Sequence, residues 1–590
     1  MSIEKKIQNY QQFFMDQVKE AELEQKTIVT APVSQLLKKE EIIIGYVDHI
    51  NENTGHIVLK FPKNTAPRLK VQKSVMLIKN NAKTDLGANI SEWRCSFLDF
   101  YKNPDYHSNT SDLLPLYYCK FADSRYDYVG CAGVSVTFFD QIKRILSAGK
   151  MLTVLTFTPF PPVEYYNNLV NFLEEYHCVP ELLIEPKIRY EDWHPEKLSY
   201  DPQNKTGISD QIMKTLDNDN CCILQGPPGT GKSFTIAHII AKYLSEDKTV
   251  CVTTMANRGL IELVKQPPLV TFLKEGKISK TNLSSDERTS VSGLKSAKKG
   301  FIVPKGELLC STNYVLSHVY NSNNLKERSF PLYDLIIIEE ASQAFLTSIL
   351  AFKKLGIKCL IVGDPMQLPP IISNPNKSLY KVWNANTQIE GLKTFALGTD
   401  VKSYRIITTF RLTTASANLT GIFYDNDFVS VQENTLDYSK CNSPYFPKEG
   451  GVLYYYTSDY TNGIISGSGL NIVNNIICLI RNHYPNRTLA IISPFNDTVK
   501  QLQKSFLTDL SCDNITIETI DRIQGMTVDY AILYVPGRNP GFALDERRFN
   551  VATSRSRSTT MIVSDIPLTD MHSISSNVSS FVRNSKHILI

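Results

Sequence analysis

One short segment, residues 226–233, limits what this chain can fold into more than any other. It reads GPPGTGKS and separates an apolar run, Cys221 to Leu224, from a helix-like run that begins at Phe234. Glycines spaced in this way between a strand and a helix form a loop whose backbone N–H groups surround phosphate oxygens. A Gly-rich turn without a ligand is the alternative, but the flanking strand and helix disfavour it. The segment therefore predicts an α/β domain that binds a phosphate-bearing ligand.

The residue types in this loop have separate roles in holding a nucleotide. We expect Lys232 to place its charge at the β- and γ-phosphates and Ser233 to ligate Mg²⁺. The predicted nucleotide contacts are Gly226, Pro227, Pro228, Gly229, Thr230, Gly231, Lys232 and Ser233.

A strand-like run, residues 335–338, ends in two adjacent carboxylates, Glu339 and Glu340. Ligands of an open α/β sheet bind at the carboxyl ends of its strands, so these carboxylates are expected beside the phosphate loop. We expect Glu339 to hold Mg²⁺, directly or through water, and Glu340 to orient or deprotonate the attacking water. A solvated acidic loop is the alternative, and the phosphate loop upstream favours the catalytic interpretation.

Length and charge indicate the size and class of the molecule. At roughly 150 residues per domain, 590 residues correspond to about four structural units. The net charge of +4 is too small to indicate a polyanionic partner, so any contact with nucleic acid must come from local patches. The twelve cysteines include no C-x-x-C pair, which favours reduced thiols and argues against a zinc ribbon.

The N-terminal sequence MSIEKKIQNYQQFF lacks the apolar core of a signal peptide. The longest apolar runs also fall short of the ~20 residues needed to span a membrane. These features predict a soluble, intracellular protein without a membrane partner, located in the cytoplasm, with the nucleus as the alternative.

The hydrophobic periodicity changes along the chain. Residues 3–21 place apolar side chains at steps of three and four, which predicts a helix, whereas residues 42–61 contain two β-type runs around a Gly-containing turn. After residue 207, apolar runs alternate with helix-like segments, which predicts two α/β domains with parallel sheets. The predicted divisions are 1–26 for a stalk helix, 27–150 for a barrel-like accessory domain, 151–204 for a helix and linker, 205–395 for the first α/β domain and 396–590 for the second.

Four further motifs, in this order, resemble those of superfamily-one helicases. Residues 336–344, IIIEEASQA, are similar to the D-E-A-x-Q element, and residues 363–370, GDPMQLPP, are similar to G-D-x-x-Q-L-P-P. Residues 520–525, IDRIQG, and 547–555, RRFNVATSR, resemble V-D-x-F-Q-G and R-R-x-N-V-A-x-T-R. Within the superfamily the chain resembles the Upf-like group. The resemblance implies two tandem RecA-like P-loop domains after a small β-barrel and stalk helices, and ATP-driven 5′-to-3′ movement on single-stranded nucleic acid.

The resemblance also implies roles at the nucleotide. Gln211 matches the glutamine that binds the adenine edge, and Phe410 stands where the family has a Tyr that stacks on adenine. Arg411 and Arg555 match two arginines of the second motor domain that stabilise charge on the γ-phosphoryl oxygens. Gly525 completes the implied nucleotide contacts. A surface Gln and a buried core Phe are the alternatives for the first two residues.

Contacts with the nucleic-acid strand are implied in the same way. Asn257, Thr312 and Thr519 match elements that contact the phosphate backbone, and Gln367 matches the residue that senses the γ-phosphate and links it to the strand. Each of the first three is otherwise an ordinary cap or turn residue. The stretch 274–305 has eight basic and three acidic residues and could line a groove, or be a solvated loop.

The sequence departs from the family pattern at three site positions. Glu339 replaces an Asp, Thr409 replaces a common Gln, and Thr527 stands where the family has a ribose-contacting Glu. We therefore expect tolerance of both ATP and dATP. The implied cofactors are ATP and Mg²⁺, with no metal beyond magnesium.

Two other functions remain open at this point. One is an ATP-gated clamp or remodelling ATPase that binds nucleic acid without separating strands, and the other is a small-molecule kinase with a P-loop. The choice between DNA and RNA is also open, because phosphate and stacking contacts serve both. The expected partners are single-stranded DNA or RNA and duplex junctions.

Overall fold

The computed structural model describes residues 3–39, 42–53, 55–62, 74–79, 96, 114–122, 125–131, 136–148, 152–157, 163–176, 183–321, 330–373, 377–432, 450–457, 459, 464–506, 514–569 and 574–588. The chain forms two compact units. One comprises residues 18–162 and 504–512, and the other comprises residues 1–17, 163–503 and 513–590. The N-terminal helix α1, Ile3–Thr30, contributes residues to both.

The smaller unit contains six described strands that close into an antiparallel barrel in the order β1-β2-β5-β4-β3-β6. Ile57, Leu59 and Phe61 are fully buried at alternate positions, which is the period that places one face of a strand inside a barrel. The predicted turn joins the first two strands, where Gly55 has φ +67° and its N–H donates to Asn51 O at 2.9 Å. The strands are β1 Ile42–Asn51, β2 His56–Pro62, β3 Ser74–Lys79, β4 Leu114–Ala122, β5 Tyr126–Cys131 and β6 Leu152–Phe157, and the helices of this unit are α2 Val33–Lys38 and α3 Val136–Ser147.

The larger unit contains two parallel sheets, which we call the first and second lobes. The sheet of the first lobe has nine described strands in the order β11-β10-β12-β9-β13-β14-β8-β15-β7, and all its pairs are parallel. Its strands are β7 Glu196–Leu198, β8 Cys221–Gln225, β9 Val250–Thr254, β10 Ile278–Thr281, β11 Lys295–Ala297, β12 Leu308–Thr312, β13 Tyr333–Ile338, β14 Gly356–Gly363 and β15 Lys402–Ile406.

Helices cover both faces of this sheet, as expected where strands are continuously apolar. The helices of the first lobe are α4 Val163–Glu175, α5 Gly207–Asp219, α6 Lys232–Ser245, α7 Asn257–Val264, α8 Val270–Lys274, α9 Ser285–Ser290, α10 Asn313–Leu316, α11 Leu346–Lys353, α12 Lys377–Val382, α13 Ala385–Ile389 and α14 Gly391–Gly398. Because β7 and β15 belong to this sheet, it spans residues 196–406, which is wider than the predicted 205–395.

A two-stranded ribbon, β16 Thr408–Thr409 and β17 Val429–Ser430, follows the first lobe together with helix α15, Thr414–Thr420. The described strands of the second lobe form a parallel sheet in the order β20-β19-β21-β22-β18-β23. They are β18 Gly451–Tyr456, β19 Leu489–Ser493, β20 Ile515–Thr519, β21 Val528–Val535, β22 Ser556–Ser564 and β23 Lys586–Ile588, with helices α16 Gly467–His483, α17 Asn496–Phe506, α18 Ile520–Ile523, α19 Pro540–Ala543, α20 Glu546–Thr553 and α21 Ser576–Asn584. The predicted pair of α/β domains with parallel sheets is confirmed.

Two side chains from the first lobe belong to the hydrophobic core of the second. Met366 and Leu368 follow β14 and pack in the same cluster as Phe423, Phe549 and Ile562. The loop after β14 therefore penetrates the neighbouring lobe. In the part of the chain that the structure describes, no helix is long and apolar enough to cross a membrane.

Candidate active site

The phosphate loop joins β8 to α6 at the carboxyl edge of the first sheet. Gly229 has φ +76°, a left-handed conformation that glycine adopts without strain. A Cβ at this position would also lie 2.3 Å from Arg411 Cβ, so the loop has no room for a side chain there. The Gly226 N–H donates to Gly363 O at 3.1 Å, which ties the loop to the end of β14.

Lys232 lies at the first position of α6 and folds back over the loop. Its Nζ donates to Gly226 O and lies 3.5 Å from Pro227 O. Burial lowers the pKa of Lys232, and the nearby Asp364 carboxylate opposes this shift. The ammonium is therefore poorly solvated, which favours pairing with an anion such as a phosphate.

Ser233 and Glu339, the two residues that the sequence predicts to hold Mg²⁺, face each other. The Ser233 hydroxyl donates to Glu339 Oε1 at 3.3 Å. Glu339 Oε2 is buried and has no hydrogen-bond partner among the described residues. Burial and the neighbouring Glu340 raise the pKa of Glu339 to about 8. A hydroxyl oxygen beside a carboxylate oxygen without a partner fits Mg²⁺, a hard cation that prefers oxygen ligands and retains waters.

Glu340 follows immediately in the left-handed region, at φ 51°, where a non-glycine residue costs roughly 1–3 kcal/mol. Its Oε2 accepts from the Thr254 hydroxyl at 3.4 Å. Burial raises the pKa of Glu340, while the charges of Lys232 and Arg555 lower it. A Cβ on Gly525 would lie 3.5 Å from Glu340 Oε1, so the second lobe approaches this carboxylate directly.

Arg555 projects from the second lobe toward the same carboxylate. Its side chain is buried, and its Nε donates to Val551 O at 2.6 Å. Burial lowers the pKa of Arg555 to about 10, and the charges of Glu340 and Asp364 oppose that shift. The charges of the same two carboxylates also oppose the fall that burial causes in the pKa of Lys232. The structure therefore brings Lys232 and Arg555 around one cleft between the lobes.

Arg411 lies between the two lobes, after the first sheet ends. The backbone before it packs on the phosphate loop, since the Phe410 N–H donates to Gly229 O at 2.8 Å and the Thr409 hydroxyl donates to Pro228 O at 3.0 Å. The Arg411 guanidinium donates to Ser554 O of the second lobe at 3.2 Å. Burial, followed by the charge of the nearby Arg555, lowers the pKa of Arg411 to about 9. Two buried guanidinium groups this close together favour an anion between them.

Asp364, at the end of β14, connects the two lobes through hydrogen bonds. It accepts from Gln225 Nε2 and Gln367 Nε2 at 3.2 Å each, and from the Tyr424 hydroxyl at 2.6 Å. Asn550 Nδ2, from the second lobe, donates to the Tyr424 hydroxyl at 2.7 Å. Sequence reasoning did not single out Asp364, Tyr424 or Asn550, although two of them lie inside the recognised motifs.

Gln367 also contacts the second lobe. Gln524 Nε2 donates to Gln367 Oε1 at 3.4 Å, which joins two of the recognised motifs across the cleft. A further contact between the lobes is the bidentate ion pair of Arg547 with Glu390, at 2.7 and 2.6 Å. The resemblance implies no role for Arg547.

The residues implied to hold adenine lie on the other side of the loop. Phe410 is 44% exposed, its ring meets the Tyr200 ring edge-on at 4.8 Å between centroids, and it lies beside Gly231. Gln211 is hydrogen-bonded instead to Glu196 of β7, with Nε2 donating to Oε1 at 2.6 Å. Phe410 is thus not a core residue, and its exposed ring is available to a base.

The three residues implied to contact a strand follow strands at the carboxyl edges of the sheets. Asn257 is exposed at the start of α7, next to β9. Thr312 ends β12 in register with Thr254, and Thr519 ends β20. The Thr312 and Thr519 residues are each only 6% exposed, so a strand would meet mainly the backbone there.

Comparisons with known proteins agree with this geometry. Models of the AAA domain match residues 209–373 and 457–567, which contain the phosphate loop and most of the second lobe. The DNA polymerase alpha-associated DNA helicase A of Saccharomyces cerevisiae is 22% identical over 435 residues, covering 59% of this chain and 63% of that protein. Regulator of nonsense transcripts 1 of Dictyostelium discoideum is 24% identical over 431 residues, covering 62% of this chain and 31% of that protein. The resemblance to the Upf-like group of superfamily-one helicases, inferred from the motifs, is therefore confirmed.

The chain is also similar to a viral protein. The replicase polyprotein 1ab of Alphamesonivirus 1 is 24% identical over 369 residues, covering 61% of this chain and 7% of the polyprotein. The chain spans less than two thirds of the length of each of these relatives.

Proposed function

We propose that the chain is an ATP-dependent helicase that moves 5′ to 3′ along single-stranded DNA or RNA and separates strands at a duplex junction. The observation that carries the proposal is the shared cleft, in which Gly525 of the second lobe lies against Glu340 of the first and Arg411, packed on the phosphate loop, donates to Ser554 O of the second lobe. A phosphate bound there contacts both lobes, so a change in its charge changes how strongly they attract one another.

Each side chain has a definite task in this proposal. Lys232 binds the β- and γ-phosphates, and Arg411 and Arg555 stabilise the charge that develops on the γ-phosphoryl oxygens. Glu340 positions the attacking water and accepts its proton, for which its pKa, raised by burial, is suited. Phe410 stacks on the base. Mg²⁺, held by Ser233 and Glu339, supplies charge neutralisation at the phosphates when it is bound.

The hydrogen bonds between the lobes link hydrolysis to movement. Gln367 contacts Asp364 in its own lobe and Gln524 in the other, and Asp364 is bonded to Tyr424. A shift of Gln367 on loss of the γ-phosphate would therefore change both contacts. The second lobe would then shift along a strand that lies across the carboxyl edges of both sheets, and repeated cycles would produce steps.

The deciding experiment measures ATP hydrolysis and strand separation on matched DNA and RNA duplexes that carry a 5′ or a 3′ single-stranded tail. We expect hydrolysis to be stimulated by single strands and unwinding to require a 5′ tail. Unwinding restricted to 3′ tails would refute the direction. Strand-stimulated hydrolysis without displacement of an annealed strand would identify a clamp, and hydrolysis indifferent to nucleic acid would refute the proposal.

A further inference from the structure

The carboxyl edge of the first sheet extends beyond the residues implied to contact a strand. The sheet begins β11-β10-β12-β9 with all pairs parallel, so these four strands end at the same edge. Neighbouring strands lie about 4.8 Å apart, which makes the row about 15 Å long. Asn257 follows β9 and Thr312 ends β12, while the outer half of the row ends in Thr281 of β10 and Ala297 of β11.

A lysine stands at the outer end of this row. Lys298 immediately follows β11, is exposed, and has no carboxylate partner among the described residues. The next residue, Lys299, donates to Glu164 Oε2 at 2.7 Å, and the other oxygen of Glu164 lies 2.8 Å from His318 Nδ1. His318 follows α10, which begins directly after Thr312. The Glu164 bridge therefore holds the turn that carries Lys298 close to the end of β12.

An exposed aromatic ring lies in the same turn. The Phe301 N–H donates to Lys298 O at 3.1 Å, and the residue is 39% exposed. Val303, two residues later, is buried and anchors the segment. An exposed cation beside an exposed ring is the combination with which proteins hold single-stranded nucleic acid, since the cation meets a phosphate and the ring meets a base.

Hydrogen bonds of β10 fix the surface between this turn and Thr312. Lys280 is buried in β10, and its Nζ donates to Thr281 O at 3.2 Å and to Glu287 Oε2 at 3.1 Å. The hydroxyls of Thr281 and Ser311 are 2.9 Å apart and join β10 to β12. Lys280 therefore neutralises Glu287, a carboxylate that would otherwise repel a phosphate at this part of the edge.

We propose that a bound single strand continues past Thr312 across β10 and reaches the turn 298–301, where Lys298 contacts a phosphate and Phe301 stacks on a base. This inference rests on the proposed function, since it extends the path of the same strand. The ligand class is single-stranded DNA or RNA, bound without regard to sequence, because neither contact involves a base edge.

The same segment supplies a matched control. Lys305 carries the same charge and is exposed, but it lies near the amino ends of the strands. Its neighbour Gly306 packs beside Asp247, in the connection from α6 to β9, and β12 begins at Leu308. Lys298 and Lys305 are therefore close in sequence and lie at opposite ends of the parallel strands.

The test measures the affinity of Lys298→Gln, Lys305→Gln and Phe301→Ala for fluorescent oligothymidylate and oligouridylate over a range of salt concentrations. One lost phosphate contact reduces the slope of log affinity against log salt by about 0.7 for a single strand. We expect this reduction in Lys298→Gln, and no change of slope in Lys305→Gln. Loss of one stacked base weakens binding roughly tenfold, so Phe301→Ala should lose affinity at every salt concentration with its slope unchanged.

Equal slopes for the two lysine variants would overturn the inference, and so would a Phe301→Ala variant that binds like the wild type. Melting temperatures should match the wild type in all three variants, because all three residues are exposed, and Lys305→Gln should also keep the wild-type ATPase kcat because Lys305 lies away from the cleft and the strand path. Failure of the wild-type protein to bind either oligonucleotide would refute the proposed function itself. Normal wild-type binding with an inert Lys298 would refute only the extended path.

Discussion

The cleft buries two pairs of like charges, a carboxylate pair beside Lys232 on one side and an arginine pair on the other, and each pair is unfavourable when taken alone. On the first lobe, Glu339 and Glu340 are adjacent, and burial raises the pKa of both. Facing them, Arg411 and Arg555 are buried close to each other, and burial lowers both of their pKa values. The electrostatic cost of each side falls when the cleft holds a magnesium-bound phosphate, because the cation satisfies the carboxylates and the phosphate satisfies the arginines. The buried charges on the two sides therefore favour the state of the cleft in which the nucleotide and the cation are bound.

The largest expected effect comes from the arginine side. Arg555→Gln removes the buried guanidinium that we propose stabilises transition-state charge, and we expect the kcat of strand-stimulated ATP hydrolysis to fall by roughly 10³-fold or more. Steady-state kinetics at saturating strand and ATP measure this. Arg522→Gln is the control, since Arg522 lies on the same lobe with an exposed side chain paired to Glu518. A loss of less than about tenfold in Arg555→Gln would mean that the arginine only supports the fold.

The carboxylate side is tested by Glu340→Gln, which keeps the shape of the side chain and removes the proposed general base. General-base catalysis typically contributes about 10²–10⁴-fold, so turnover should fall within that range while strand binding is retained. Glu246→Gln, a change of the same kind on the surface of the same lobe, should have no effect. If Glu340→Gln hydrolyses ATP at the normal rate, another group accepts the proton.

A smaller effect is expected from the hydrogen bond that joins the two sides. Tyr424→Phe removes the hydroxyl that donates to Asp364. The buried carboxylate then has one hydrogen-bond partner fewer, which lowers the free energy of unfolding by about 1–3 kcal/mol. We expect a lower melting temperature and a several-fold weaker stimulation of ATP hydrolysis by single strands.

Tyr534→Phe offers the matched control for that prediction. Its hydroxyl also donates to a buried aspartate, Asp565, at 2.6 Å, but both residues lie within the second lobe. We expect this variant to lose a similar amount of stability and to keep its stimulation by single strands. Equal loss of stimulation in the two variants would show that Tyr424 acts through stability alone.

The smallest expected effect concerns the sugar. Thr527 stands where the family that the chain resembles has a ribose-contacting Glu, so the 2′-hydroxyl should contribute little. The KM values for ATP and dATP should then agree within about threefold, which is less than the roughly fivefold effect of one neutral hydrogen bond worth about 1 kcal/mol. A preference of tenfold or more for ATP, measured in parallel hydrolysis assays, would indicate another ribose contact.

Local motifs predict where the groups on the first-lobe side of the cleft lie, because these groups follow one strand or one loop. The phosphate loop, Ser233 and the Glu339–Glu340 pair lie at the edge that the strand pattern indicates. Sequence reasoning did not predict the bond between Asp364 and Tyr424, because it joins residues 60 positions apart through folding. It also did not predict β7, β10 and β11, since these strands are short and carry polar residues such as Lys280, whose burial depends on Glu287.

The insertion of Met366 and Leu368 into the second lobe limits how far the two lobes can separate. Wide opening would expose both side chains to water, at about 25 cal/mol for each Å² of apolar surface uncovered. Small rotations that keep these side chains covered avoid that penalty. The protein should therefore open and close by small hinge rotations about this apolar contact. An isolated first-lobe fragment would expose both side chains to solvent and would be prone to aggregate.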